Sequence, residues 1–168
     1  MRILLLTHAF NSLTQRIDAE LRALGHVVSI EFDIADSVTE EAVALFAPDV
    51  LIAPYLRRAI PEAVWSRLPC LVVHPGVVGD RGPSALDWAI TLQESTWGVT
   101  VLQAVAEMDA GPIWATQEFP LRAAKKASVY RNEVTQAALE AVLRSINALA
   151  AGHTPVPLAQ WAAARGQL

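Results

Sequence analysis

Short apolar runs alternate along this chain with segments whose apolar residues recur at helical spacing. Residues 3–6, 50–53 and 71–73 are brief continuous apolar runs, the pattern of strands buried on both faces. Residues 26–32 alternate apolar with polar, and 97–105 and 113–119 are two further strand candidates. Between them lie the helical patterns. Ile17, Leu21 and Leu24 share one face, and Gly25 stops that helix. Ser12-Leu13-Thr14-Gln15 and Ser37-Val38-Thr39-Glu40 have the capping-box shape and predict two helix starts, the second helix ending before Pro48. Pro61 opens a brief helix over 61–68, and Pro83 opens another that runs through Trp88 and Ile90. The longest helix is predicted over 128–151, with Val134, Ala138, Val142 and Ile146 spaced at four.

Strand and helix in alternation predict an α/β fold, a mostly parallel open sheet of Rossmann-like type with helices on both faces. In such sheets ligands bind beyond the carboxyl ends of the strands, where strand order reverses. The 168 residues suit one domain, expected over 1–151, with 152–168 as a packed tail or linker. The apolar share is 53% and the charged share 18%, against about 45–50% and about 25% in typical domains, which excludes a disordered chain. Thirteen Lys plus Arg against 17 Asp plus Glu leave a net charge of −4, with no basic stripe for nucleic acid. No apolar run is long enough to span a membrane. Residues 3–6 are too few for a secretory signal and turn polar at Thr7-His8. A single cysteine, Cys70, excludes a disulfide framework and fits a reducing cytoplasm.

His74 ends a strand candidate and precedes Pro75-Gly76, so it lies where the crevice is expected. Imidazole suits general acid or base work there, although a turn-stabilising loop histidine fits the position equally well. A side chain at that strand end is expected to be partly exposed. Asp109, in Glu107-Met108-Asp109-Ala110-Gly111-Pro112, has the residue type and setting of a turn-former. It becomes interesting if it reaches His74, because a carboxylate beside imidazole fixes its tautomer and favours imidazolium. His8 and Asn11 follow the first strand, as ligand contacts or caps, with Ser12 the expected cap. Arg81 is a candidate anion contact or a solvated turn residue. Cys70, Trp88, Trp97 and Trp114 read as core. G-x-G-x-x-G, H-E-x-x-H and C-x-x-C are all missing, which argues against a dinucleotide site and a zinc site.

Three segments in order carry a family resemblance. They are Ala53-Pro54-Tyr55-Leu56-Arg57-Arg58-Ala59-Ile60-Pro61, then His74-Pro75-Gly76 with Arg81-Gly82 downstream, then Gly98-Val99-Thr100 leading to Asp109-Ala110-Gly111-Pro112-Ile113. The set resembles the formyltransferases that use 10-formyltetrahydrofolate, whose members carry N-x-H-P-S followed by R-G and L-D-x-G-P-I. The resemblance implies that His74 and Asp109 are the catalytic pair. It implies that Leu56, Arg57, Arg58 and Ala59 recognise the pterin through their backbone, with Val105, Ala106, Glu107 and Met108 on its other side. It also exposes a departure, because Val72 stands where the family has the asparagine that helps to hold the formyl oxygen. The blocks Thr7-His8-Ala9-Phe10-Asn11-Ser12 and Gly79-Asp80-Arg81-Gly82-Pro83-Ser84 are similar to a subfamily that serves hydrogenase maturation. There an enoyl-CoA hydratase-like module follows the formyl module, coenzyme A accepts the formyl unit, and the CO ligand of a [NiFe]-hydrogenase results. The chain has no room for that second module, so 152–168 is expected to lead toward it. An amine formyltransferase, a formyl-folate hydrolase and a non-catalytic folate-binding module remain alternative readings.

Overall fold

A computed structural model describes residues 1–81 and 84–164. β1 (Arg2–Thr7) is the first strand of the sheet along the chain. Ile3, Leu4, Leu5 and Leu6 are each 1% exposed or less, so both of its faces are covered. Strand alternation sends Ile3 and Leu5 to one apolar cluster and Leu4 and Leu6 to another. The first cluster lies under α1 (Ser12–Ala23) and α6 (Thr135–Ala150). The second lies under α2 (Asp36–Phe46) and α3 (Glu62–Trp65). The molecule is thus a sheet between two helical layers, as an α/β chain must be to bury both faces.

The remaining strands are β2 (Val27–Phe32), β3 (Val50–Tyr55), β4 (Cys70–His74), β5 (Thr96–Gln103) and β6 (Ile113–Pro120), in the order β2-β1-β3-β4-β5-β6. β2, β1, β3 and β4 pair in parallel, whereas β5 is antiparallel to both β4 and β6. Only β5 therefore runs against the others. The strand expected over 97–105 ends at Gln103, which releases Ala104 and Val105 into a loop.

Two helix starts differ from the capping boxes. The N-cap of α1 is Asn11, whose Oδ1 accepts from Thr14 N–H at 3.0 Å, and Ser12 is already helical. α2 starts at Asp36 behind Ala35, which offers no side-chain cap. The expectation that Pro83 opens a helix falls outside the described residues; α4 itself spans Ala85–Thr91. The long C-terminal helix is interrupted. α5 (Lys126–Val129) passes into one π-helical turn, Tyr130–Val134, before α6. Val129 and Val134 are both fully buried, and their five-residue spacing matches the i→i+5 period of that turn. Val156 then pairs back onto Ile113 through two backbone bonds of 2.7 and 2.8 Å, ahead of α7 (Leu158–Ala164). Among the described residues, no helix is long and apolar enough to cross a membrane.

Candidate active site

After β1 the chain places β2 on one side, then crosses to place β3 on the other. A crevice opens beyond the carboxyl ends at such a reversal. Here it is a cleft of about 890 Å³, within the usual range of about 300–1,000 Å³ for small-molecule sites.

His74 is the last residue of β4 and shares a strand face with Val72 and Cys70. It lines the cleft but is only 4% exposed, so the partial exposure expected of it is corrected. Carboxylates enclose the ring on both sides. Nε2 donates to Asp80 Oδ2 at 3.1 Å, and Nδ1 lies 3.8 Å from Asp109 Oδ1. The second separation is that of an ion pair rather than a hydrogen bond. Asp109 sits at φ +54°, the left-handed region that Asp tolerates better than most residues. Its loop folds tightly against the end of β5, because a Cβ on Gly111 would overlap the Gln103 carbonyl oxygen. The turn after His74 is pinned as well. Trp97 Nε1 donates to the Pro75 carbonyl at 3.0 Å, and Thr100 Oγ1 to the Gly76 carbonyl at 2.8 Å.

Leu56, Arg57, Arg58 and Ala59 form one wall of the cleft; Val105, Ala106, Glu107 and Met108 form the opposite wall. The first wall is held by a side chain that sequence reasoning missed. Asp33, buried at the end of β2, accepts from the backbone N–H of Arg57 at 2.9 Å and of Arg58 at 3.2 Å. Its other oxygen meets His8 Nδ1 at 2.8 Å, so His8 ties the strand ends together. The arginine side chains themselves are exposed, leaving the backbone to shape this wall. On the second wall, Glu107 accepts from Arg81 Nη1 at 2.6 Å. Arg81 thereby reaches the loop through an exposed ion pair.

At a further edge of the cleft stand Asn11, Lys126 and Tyr130. Asn11 Nδ2 donates to the Tyr130 hydroxyl at 3.2 Å. Burial pushes the Tyr130 hydroxyl above its ordinary pKa; the bond from Asn11 works against that shift, and the nearby Tyr55 adds to it. No short sequence motif marks Tyr130 or Lys126, which arrive from a helix more than fifty positions after His74. Val72 lines the cleft with no polar donor, and Cys70 is fully buried at the other end of β4, as its core reading required. Trp97 is buried and Trp114 half-buried, but Trp88 is 63% exposed and is not a core residue. At 3.6 residues per turn, Ala85, Leu86 and Ala89 share one face of α4 and Trp88 falls outside it.

A mixed sheet of this order, with a histidine at a strand end facing an aspartate on the following hairpin loop, belongs to a known class. Residues 31–146 match the family described as Formyl transferase, and the chain belongs to that family. Among its relatives is the hydrogenase maturation factor HoxX of Bradyrhizobium diazoefficiens, 59% identical over 159 residues, 94% of this chain and 28% of that protein. Among solved structures, HypX from Aquifex aeolicus in complex with tetrahydrofolic acid superposes with a TM-score of 0.92 at 51% identity, over 94% of this chain and 28% of that one. Methionyl-tRNA formyltransferase from Clostridium thermocellum, at 16% identity and a TM-score of 0.72 over 94% of this chain and 68% of its own, shares the fold. The chain spans just over a quarter of the length of its HoxX and HypX relatives, 28% in each case.

Proposed function

We propose that this chain takes the formyl group of 10-formyltetrahydrofolate and passes it to the thiol of coenzyme A. The formyl unit then serves CO-ligand synthesis in the maturation of a [NiFe]-hydrogenase, in the cytoplasm and together with an enoyl-CoA hydratase-like module. The observation that carries this reading is the approach of His74 and Asp109 to 3.8 Å beside the cleft, 35 positions apart in sequence. Support also comes from HypX, solved with tetrahydrofolic acid, and from the maturation role in the name of HoxX.

In this reading the reduced folate lies between the wall formed by Leu56, Arg57, Arg58 and Ala59 and the wall formed by Val105, Ala106, Glu107 and Met108. His74 donates to the formyl oxygen, and Asp109 stabilises the charge on the ring. The thiol sulfur attacks the formyl carbon and releases its proton to water. The C–N bond to the folate then breaks, and the leaving nitrogen takes a proton from His74 or water. The products are a formyl thioester and tetrahydrofolate. With Val72 in the asparagine position, His74 and backbone N–H groups carry the oxyanion, a task worth about 10²–10³ in rate per donor.

Titration calorimetry with 5-formyltetrahydrofolate, followed by product analysis with 10-formyltetrahydrofolate, tests the reading. Binding together with coenzyme A-dependent loss of the formyl group is the expected result. Free formate without coenzyme A would make the chain a hydrolase, and formylation of amines alone an amine formyltransferase. Binding with no product would make it a folate-presenting module, and absence of binding would end the folate reading.

A further inference from the structure

The pair His74–Asp109 accounts for only one side of the imidazole. On the other side, Nε2 meets Asp80 Oδ2 at 3.1 Å. A carboxylate only accepts, so the hydrogen of this bond is on Nε2. Asp80 does not line the main cleft; it faces the ring from behind, beside Val77, Thr100 and Gly111. Nδ1 is therefore the nitrogen on the Asp109 side, and 3.8 Å is too long for Asp109 to take its hydrogen in a bond.

The contact depends on a missing side chain. A Cβ at Gly76 would overlap the His74 ring at Nε2 and Cδ2 and stand 2.8 Å from Asp80 Oδ2. Gly76 is not among the positive-φ glycines, so what it supplies is space. The turn is fixed around that space: Gly76 N–H donates to the His74 carbonyl at 2.8 Å, and Asp80 N–H to the Val77 carbonyl at 3.0 Å. Where the resembling family has H-P-S, this chain has His74-Pro75-Gly76, and the vacated position admits the Asp80 carboxylate.

We propose that Asp80 is a positioning residue for formyl transfer, accepting from Nε2–H of the His74 imidazolium so that the ring's second hydrogen, Nδ1–H, is presented to the formyl oxygen. This rests on the formyl-transfer reading above. When Nδ1 gives its proton to the leaving folate nitrogen, the ring is left neutral with Nε2–H, the tautomer that Asp80 already holds. The ring regains its Nδ1 proton from water, and Asp80 itself exchanges none. A single oriented ring then does part of what an amide at position 72 would have done.

Ring-¹⁵N NMR of the four histidines, with His74 assigned by its disappearance in His74→Gln, reads the tautomer directly. The neutral wild-type ring is expected as Nε2–H, and Asp80→Ala is expected to spread it over both tautomers. Asp80→Asn keeps an acceptor oxygen and is expected to keep the tautomer. Loss of a hydrogen bond to a charged group implies a fall in kcat of about 10- to 100-fold in Asp80→Ala, with KM for the folate changed less than about 2-fold. Gly76→Ala is expected to disturb the ring signal as Asp80→Ala does. An unchanged His74 tautomer in Asp80→Ala, or an unchanged kcat, would overturn the proposal. If the wild type transfers no formyl group to any acceptor, the proposed function fails, and the ring spectrum alone still decides whether Asp80 sets the tautomer.

Discussion

β4 is five residues long and ends in two ionisable side chains with opposite surroundings. Cys70 opens the strand among Leu4, Leu51 and Val64, and burial pushes its thiol from an ordinary 9.0 up to about 12. The thiol is neutral at pH 7 in both the folded and the unfolded chain, so it costs nothing there. Between about pH 9 and pH 12 the unfolded thiol is ionised and the folded one is not, so stability falls as pH rises. Iodoacetamide at pH 8 is expected to label Cys70 only after denaturation; labelling of the native chain at a free-thiol rate would contradict its burial. His74 closes the strand between two carboxylates. His74→Ala removes their shared donor and is expected to cost about 1–3 kcal/mol, while His74→Gln keeps a donor and stays closer to wild type in a thermal melt. Both variants are expected to lose formyl transfer by at least about 100-fold, and retention of transfer by either would remove His74 from the chemistry. His74 and Asp109 were legible because a strand end and an ordered motif set marked them. Asp33 and Asp80 were not, because an aspartate in a polar turn looks the same whether it faces water or a ring. Trp88 misled for the converse reason: hydrophobicity alone does not say which side of a two-turn helix faces the sheet.

Element boundaries rest on backbone hydrogen bonds, and a capping motif read from residue types slips easily by one position. At the start of α1 the cap is Asn11 rather than Ser12. Asn11 Oδ1 accepts from both the N–H and the hydroxyl of Thr14, at 3.0 and 2.9 Å. Asn11→Ala is expected to cost about 1 kcal/mol, whereas Ser12→Ala is expected to cost little. For a chain of this size that corresponds to a fall in Tm of about 2–4 °C for the first variant. Equal melts for the two would contradict the assignment of the cap. Asn11→Asp keeps the acceptor oxygens but loses the donor to Tyr130, which separates the cap from the cleft contact. The segment expected as one helix over 128–151 shows a different limit. A four-residue spacing from Val134 to Ile146 was visible and correct. The π turn before it was recorded only in the five-residue step from Val129 to Val134, a spacing that helical templates count as noise.

At the scale of the molecule, alternating apolar runs announced the layered sheet because each central strand is covered on both faces, as β1 shows. Hydropathy is blind to strand direction, so the reversal of β5 was invisible, yet that reversal decides the site. Because β5 is antiparallel to β4 and ends beside Leu71 and Cys70, the loop that follows it doubles back along β4 to bring Asp109 to His74. Both walls, the ring and its two carboxylates are thus supplied by one chain that spans 28% of its HoxX relative. In the proposed reading these residues make up the donor side of the reaction, which has a measurable consequence. A ligand that binds only the folded state stabilises it by about 2.7 kcal/mol at a hundredfold excess over Kd. With about 2–4 °C per kcal/mol, saturating 5-formyltetrahydrofolate is expected to raise Tm by roughly 5–11 °C. Ala59 is exposed and lines the first wall, so Ala59→Trp is expected to leave the unliganded melt near that of wild type and to abolish the shift. A wild-type melt indifferent to the folate would mean that the pterin site needs chain beyond these 168 residues. A shift that survives Ala59→Trp would place the folate somewhere other than between these two walls.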